Sequence, residues 1–219
     1  MYYKPGNYAL PVLIIVLLFL QSVTKGQAIN DDFNKVKKSA EDVCPLKAGQ
    51  KVPDPVLWSI DDKEESLSEI LNGKPTVLVF YRGGWCPYCN MQLSELRKIE
   101  KQIIDMGYQL IAISMDTPEN LKASLDKDKL NYELYSDSKA NAVIAFGLAF
   151  RVDDKTIEKY KSFGLDLEKA SGEKHHILPV PSVYIVGKDG VIKFEYSNPD
   201  YKVRLKSELL LDAAKVYNE

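Results

Sequence analysis

Two continuous apolar runs define the middle of the chain. Residues Thr76–Tyr81 (TVLVFY) and Gln109–Ser114 (QLIAIS) carry apolar side chains at consecutive positions, which is typical of central parallel strands covered on both faces. Between the two runs, apolar residues recur at helical spacing before Gly107, at Leu93, Leu96, Ile99, Ile103 and Met106. The pattern predicts a strand, a long helix and a second strand in succession.

Shorter patterns continue this alternation along the chain. We predict strands at residues 56–60 and 132–135, a β-hairpin from residues 183–186 and 191–196, and helices at residues 67–71, 117–125, 138–146, 156–163 and 202–216. Strands that alternate with helices and end in a hairpin and a helix predict an α/β fold, in which helices flank a mixed central sheet.

Residues 1–28 have the pattern of a signal peptide. Lys4 precedes an uncharged run of 12 residues at positions 9–20, and Gly26 and Ala28 supply the small residues of a cleavage site. The run is shorter than the roughly 20 apolar residues that a membrane-spanning helix needs. We therefore expect export to a periplasmic or secreted location, with a membrane anchor through residues 9–20 as the alternative. Residues 29–45 are expected to form an N-terminal arm and residues 46–219 a single domain.

Composition and charge narrow the function classes. The 219 residues are 45% hydrophobic and 27% charged, which is ordinary for a globular protein and excludes a disordered or multi-span membrane protein. The net charge is −2 and no long basic run occurs, so nucleic acid is not an expected partner. Three cysteines, Cys44, Cys86 and Cys89, are too few for a small domain stapled by disulfides.

The strongest chemical signal is the segment 82–89 (RGGWCPYC), which follows the first buried strand and opens the long helix. Free N–H groups and the helix dipole stabilise an anion at a helix N-terminus, so a thiolate is favoured there. Cys86 and Cys89 are also close enough to form a disulfide, which predicts a redox pair. The alternatives are two inert core thiols or half of a zinc site, for which only the adjacent His175 and His176 remain as further ligands.

Four further segments carry a resemblance to a known family. They are Gly49–Asp54 (GQKVPD), Ser114-Met115-Asp116, Leu134–Asp137 (LYSD) with Ala145–Leu148 (AFGL), and the hairpin Ser182–Gly190 (SVYIVGKDG). In this order and spacing they resemble the peroxiredoxin branch of the thioredoxin superfamily, the AhpC/TSA family. The resemblance covers roughly residues 46–214 and implies a thioredoxin-like three-layer sandwich.

The chain departs from the family pattern at the site itself. Peroxiredoxins carry T-x-x-C, and alignment on Phe80-Tyr81 places Cys89 on the peroxide-attacking cysteine and Cys86 on the threonine. The family's active-site arginine would fall near Pro181 and is missing there, so Arg82 is the candidate to replace it. Val180-Pro181-Ser182 instead resembles the thioredoxin cis-proline loop, and the Trp85–Cys89 motif resembles proteins in which Cys86 would be the nucleophile. Which thiol attacks first therefore stays open.

The resemblance implies a thioredoxin-dependent peroxidase that uses Cys86 and Cys89, supported by Arg82, Trp85 and Pro181, without a metal or organic cofactor. Its expected partners are a peroxide substrate, a thioredoxin-like dithiol reductant and a second copy of the chain. A protein-disulfide oxidoreductase of the ResA/TlpA kind is the alternative. A more remote one is a copper-delivery protein that uses the two cysteines with His175 or His176. Cys44 is either a resolving thiol on the N-terminal arm or a spare thiol.

Overall fold

The computed structural model describes residues 36–128 and 132–218. The predicted signal peptide and positions 29–35 of the predicted arm lie outside the described residues. In the part of the chain that is described, no helix is both long enough and apolar enough to cross a membrane.

The described residues form nine strands, β1 Val56–Ser59, β2 Glu64–Ser66, β3 Thr76–Tyr81, β4 Gln109–Ser114, β5 Glu133–Ser136, β6 Ala149–Arg151, β7 Ile177–Pro179, β8 Ser182–Val186 and β9 Ile192–Ser197. Seven of them form one mixed sheet in the order β2-β1-β5-β4-β3-β8-β9, and the remaining two, β6 and β7, pair with each other. β3, β4 and β5 run parallel, whereas β8 is antiparallel to β3 and β9 to β8.

Helices cover both faces of this sheet. They are α1 Leu67–Leu71, α2 Pro87–Asp105, α3 Pro118–Asp128, α4 Asn141–Ala145, α5 Asp154–Ser162, α6 Leu167–Ser171 and α7 Ser207–Val216. On one face, Val77, Val79 and Tyr81 of β3 pack in the same core cluster as the apolar sides of α2 and α7. On the other face, Phe80 contacts Phe146, which follows α4, with the ring centroids 4.8 Å apart. The predicted α/β three-layer sandwich with a mixed central sheet is confirmed.

The last helix begins later than predicted. The apolar spacing predicted a helix from residue 202, but α7 starts only at Ser207. The reason is a turn in which the Asp200 carboxylate accepts the N–H of Lys202 at 3.0 Å and its carbonyl accepts the N–H of Val203 at 2.9 Å. Such local bonds compete with helical ones, and they leave residues 201–206 as a loop.

The helix predicted at residues 138–146 is also shorter, because Asp137 sets its start. The buried Asp137 carboxylate accepts the N–H groups of Ala142 and Val143 at 2.9 and 2.8 Å, and Ala140 has a left-handed backbone with φ of 63°. α4 is therefore confined to Asn141–Ala145. The strands β2, β6 and β7 and the helix α6 were not predicted.

Candidate active site

The redox motif lies at the carboxyl ends of the parallel strands. β3 and β4 pair in register, with Tyr81 opposite Ser114, and the chain leaves β3 through a turn at residues 82–86. Cys86 is the N-cap of α2, and Pro87 occupies the first helical position, where its missing N–H leaves no bond unmade. Phe80 of β3 pairs with Ser182 of β8, so Pro181 reaches the same end of the sheet.

The resemblance of Val180-Pro181-Ser182 to the cis-proline loop implies a cis peptide bond before Pro181, and this prediction is wrong. Within the described residues every peptide bond is trans. Cis prolines typically serve tight turns, and this segment needs none. The N–H of Val180 donates to the carbonyl of Leu148 at 2.9 Å, and the chain passes directly from β7 into β8.

Both cysteines of the motif are free thiols inside the protein, with 1% of Cys86 and 0% of Cys89 exposed. A hydrogen bond from the Cys89 thiol lowers the pKa of Cys86 to about 6, and the Cys89 backbone N–H and the charges of Arg82 and Arg204 act in the same direction, against the effect of burial. Burial raises the pKa of Cys89, and the bond to Cys86 raises it further. These opposite directions favour Cys86 as the thiolate of the pair and Cys89 as the thiol that donates to it.

Sequence reasoning missed Arg204, which lies in the loop before α7. Its Nη2 donates to Sγ of Cys89 at 3.4 Å. Its Nε and Nη1 are buried and have no hydrogen-bond partner among the described residues. The signal that the sequence offered was the small number of arginines. The chain has only four, Arg82, Arg97, Arg151 and Arg204, so each could have been considered as a candidate.

Arg82 is 4% exposed, and aromatic side chains surround it. Its guanidinium carbon lies 5.0 Å from the ring centroid of Trp85, 5.7 Å from that of Tyr160 and 4.2 Å from that of Tyr201. Its Nη2 also donates to the Tyr160 hydroxyl at 2.5 Å. Tyr88 joins this group through an edge contact with Tyr201 at 5.7 Å. We call these four rings, Trp85, Tyr88, Tyr160 and Tyr201, the aromatic cover.

A cleft of about 260 Å³ opens beside the cover. Arg82, Tyr160 and Tyr201 form one side of it, and Pro181 with the apolar Phe150 and Leu178 forms another. The structure thus brings Arg82, Trp85 and Pro181 to the motif, and it adds Tyr160, Tyr201 and Arg204 from distant segments.

The hydrogen bonds of His175 and His176 go to groups outside the redox motif. His175 accepts the N–H of Ile177 at Nδ1 and bonds to the Ser138 carbonyl through Nε2, while Nε2 of His176 lies 2.9 Å from the Glu168 carboxylate. Over residues 36–128 and 132–218, no three His, Cys, Asp or Glu side chains are grouped as a metal site would require. The ligand sets of the zinc and copper alternatives are not assembled there.

Comparison with known proteins agrees with this geometry. Peroxiredoxin Bcp of Escherichia coli K12 is 31% identical over 104 residues, which is 48% of this chain and 66% of Bcp. The thiol-disulfide oxidoreductase ResA of Halalkalibacterium halodurans is 26% identical over 103 residues, 47% of this chain and 57% of ResA. The matches therefore span less than two thirds of either relative.

Solved structures agree on the fold. Reduced Prx3 of Vibrio vulnificus in complex with H2O2 superposes with a TM-score of 0.64 at 17% identity, covering 77% of this chain and 99% of that one. The AhpC/TSA family model matches residues 48–195, more than half of the chain and every strand from β1 to β8. On that match, and with the redox motif at the end of β3, the chain belongs to the AhpC/TSA family.

Proposed function

We propose that this protein is a thiol-dependent peroxidase that reduces hydrogen peroxide and organic hydroperoxides through Cys86 and Cys89. The observation that carries the proposal is a buried Cys86 whose pKa is lowered to about 6, beside two guanidinium groups and one buried thiol. The lowered pKa favours the thiolate of Cys86, which is the nucleophilic form.

Oxidation of the pair needs these two sulfur atoms, the peroxide and protons from the Cys89 thiol and solvent, and the return to two thiols needs an external reductant. The Cys86 thiolate attacks one peroxide oxygen, an S–O bond forms, the O–O bond breaks, and the leaving oxygen takes a proton to become water or an alcohol. Cys86 is then a sulfenic acid. The sulfur of Cys89, once deprotonated, attacks that sulfur, a disulfide forms and water leaves. An external dithiol reduces the disulfide by exchange and restores both thiols.

The surrounding groups suit a small oxidant. Nε and Nη1 of Arg204 are donors without a partner among the described residues, close to the thiol pair, and can bind peroxide oxygens. The cleft of about 260 Å³ beside Arg82, which both charged and apolar side chains line, has room for the organic substituent of a hydroperoxide. Because both sulfur atoms are buried, a two-oxygen peroxide needs a far smaller opening of the surrounding protein than a protein disulfide does.

The partner and location proposals extend this function. A thioredoxin-like dithiol protein is the proposed reductant, a homodimer is the proposed assembly, and residues 1–28 are proposed to direct export. N-terminal sequencing of the protein from its native cell tests the last point: an N-terminus at Ile29 supports a cleaved signal peptide, and an intact Met1 supports the anchor at residues 9–20.

Trapping of the sulfenic acid tests the function and the order of attack together. Cys86→Ser and Cys89→Ser are made in a Cys44→Ser background, so that the exposed third thiol does not react. Each is treated with one equivalent of H2O2 and a sulfenic-acid probe. We expect labelling only in Cys89→Ser, which retains Cys86. Labelling only in Cys86→Ser would assign the attack to Cys89, and oxidation no faster than that of free cysteine would overturn the peroxidase proposal.

A protein-disulfide oxidoreductase is the second candidate, because a low-pKa Cys86 followed by a buried Cys89 thiol also suits disulfide exchange. The similarity to ResA points the same way. The reduced protein is mixed with H2O2 or with insulin, and loss of its thiols is followed in each. Faster loss with H2O2 supports the peroxidase; faster loss with insulin supports the alternative.

A further inference from the structure

A buried carboxylate lies beneath the turn that carries the redox motif. Asp116 follows β4 and is 2% exposed. Its backbone is tied to the sheet on both sides: its carbonyl accepts the hydroxyl of Ser136 at 2.6 Å, and its N–H donates to Ser114 Oγ at 3.2 Å. β3 and β4 end side by side, so this carboxylate is held directly beside residues 83–85.

The turn is bonded to that carboxylate. The N–H of Gly84 donates to Oδ2 of Asp116 at 2.6 Å, which is short, as expected of a charge-assisted bond. The turn is also closed onto α2, because the side-chain amide of Asn90 donates to the Gly84 carbonyl at 2.8 Å. Asp116 therefore binds the N–H of Gly84 and Asn90 binds its carbonyl, two residues before Cys86 in the chain.

The two glycines are what permit this approach. A Cβ on Gly83 would lie 2.6 Å from Oδ1 of Asp116 and 2.3 Å from the indole nitrogen of Trp85. A Cβ on Gly84 would lie 2.3 Å from Oγ of Ser124 on α3. Neither position has room for a side chain while the turn rests on the carboxylate.

We propose that Asp116 is the positioning residue of the redox motif: it fixes the Gly83–Trp85 turn and thereby places the Cys86 sulfur at the N-terminus of α2. The proposal rests on the proposed function only in taking Cys86 as the reactive thiol. Because the backbone of Asp116 is bonded to Ser114 of β4 and Ser136 of β5, the sheet sets the position of the carboxylate and, through the turn, that of the thiol.

The charge of Asp116 is a second part of the role. Burial raises the pKa of this carboxyl to about 6, against the hydrogen bond from the Gly84 N–H, and the nearby Cys86 thiolate raises it further. Cys86 faces it from the start of α2, and on the other side Asp166 and Lys169 line, with Asp116, a cleft of about 250 Å³. A negative charge on Asp116 disfavours the Cys86 thiolate. The hydrogen bond that Asp116 accepts from the turn favours it, by holding Cys86 at the start of α2.

Two substitutions separate the two effects. Asp116→Asn removes the charge but keeps an oxygen that can accept the Gly84 N–H, so the titration midpoint of Cys86 should fall by about 0.3 pH unit or more. Asp116→Ala removes the acceptor as well, so the turn loosens, the stabilisation of the thiolate weakens and the midpoint should rise by a similar or larger amount. Asp137→Asn is the matched control, because that carboxylate is equally buried but bonds to α4.

The measurement is the rate of iodoacetamide alkylation of Cys86 against pH, in a Cys44→Ser background, with peptide mass spectrometry to assign the label. It uses no peroxide, so its outcome is independent of the peroxidase proposal. Opposite shifts in Asp116→Asn and Asp116→Ala, with the midpoint unchanged in Asp137→Asn, support the positioning role. If Asp116→Ala does not fold, Asp116→Ser takes its place, because its shorter side chain cannot reach the Gly84 N–H as the carboxylate does. A midpoint in the folded Ala or Ser variant that is within about 0.1 pH unit of the wild-type value, or that falls as in Asp116→Asn, overturns the positioning role.

Discussion

At the scale of single residues, the site depends on two arginines that act differently. Arg82 is enclosed by the aromatic cover and acts on Cys86 through its charge. Arg204 is in contact with Cys89 and keeps two donors without a protein partner among the described residues. Arg204 is therefore better placed than Arg82 to bind a peroxide oxygen. Arg82 is better placed to pack against Trp85 of the motif and to favour the Cys86 thiolate through its charge.

Removal of Arg204 should slow the reaction with peroxide more than it changes the thiol pKa. Arg204→Ala loses a cation near Cys86, which should raise the midpoint of the thiolate titration, and it also loses the two donors that we propose bind the peroxide. We expect a fall of about 10²-fold or more in the rate of H2O2 oxidation when the two proteins are compared at equal fractions of Cys86 thiolate, set from each protein's own titration midpoint. Stopped-flow thiol oxidation measures this rate.

Arg97→Ala is the control for that substitution. It makes the same change in net charge at an exposed position in the middle of α2, outside the motif. Its oxidation rate should stay within about twofold of the wild-type rate, because surface substitutions away from such a site usually have small effects. Equal losses in the two variants would mean that total charge, not the Arg204 contact, sets the rate.

Part of the site could be found from the sequence, because it rests on local pattern. Cys86 and Cys89 were located by a strand, a turn and a helix that follow each other directly, and Pro181 by the resemblance of Val180-Pro181-Ser182 to the thioredoxin cis-proline loop. Arg204 could not be found in this way. Its approach to Cys89 depends on the turn at Asp200, which replaces the predicted first turns of the last helix.

At the scale of elements, the contact between the motif turn and α3 should disfavour any residue larger than glycine at position 84. Gly84→Ala places a Cβ 2.3 Å from Oγ of Ser124, whereas Cβ of Ser124 is 3.4 Å away, an ordinary contact. We expect Gly84→Ala to lower the free energy of unfolding by about 1–3 kcal/mol, as overpacking does. Urea denaturation of the reduced protein measures the change.

A double substitution isolates that contact. Ser124→Ala removes the clashing oxygen, which otherwise donates to the Asn120 carbonyl, and alone should change the free energy of unfolding by less than about 1 kcal/mol. In the Ser124→Ala background, most of the loss caused by Gly84→Ala should disappear, giving a coupling energy of about 1 kcal/mol or more. Additive losses would show that the turn, rather than its contact with α3, rejects the side chain.

Elements with strong periodicity were predictable, and those fixed by distant partners were not. β3, β4 and α2 follow from continuous apolar runs and a long helical repeat. β6 and β7 have three residues each and exist because they pair with each other, which no local pattern shows. The segment between them includes α5, whose Tyr160 completes the contacts of Arg82, so this part of the site could not be predicted either.

At the scale of the whole molecule, the fold has placed unusual acid–base groups in its interior. Burial raises the pKa of Asp137 to about 7 and that of Asp116 to about 6, from an ordinary value near 3.8. Cys86 is shifted the other way, from about 9 to about 6, chiefly by the hydrogen bond from Cys89. The buried acids and the buried thiol therefore make the stability of the protein depend on pH in opposite senses.

These shifts predict how stability varies with pH in the two redox states. A carboxyl whose pKa is raised on folding stabilises the native state at low pH, and that contribution is lost as pH rises from about 4 to 7. A thiol whose pKa is lowered on folding contributes stability that is lost as pH falls from about 9 to 6. The free energy of unfolding of the reduced protein should therefore fall towards pH 6–7 and rise again towards pH 9, by at most about 1.4 kcal/mol per pH unit for one group.

In the disulfide form neither Cys86 nor Cys89 carries an ionisable proton, so the second effect is absent. Its free energy of unfolding should fall between pH 4 and 7 and stay level towards pH 9. The reduced-minus-oxidised difference reports the titration of the cysteine pair together with the part of the Asp116 shift that the Cys86 thiolate causes, whereas the contribution of Asp137 cancels in it. Urea denaturation at pH 5, 7 and 8.5, with and without reductant, measures that difference. Parallel curves over this range would contradict a Cys86 pKa near 6, and with it the charge that the proposed reaction requires.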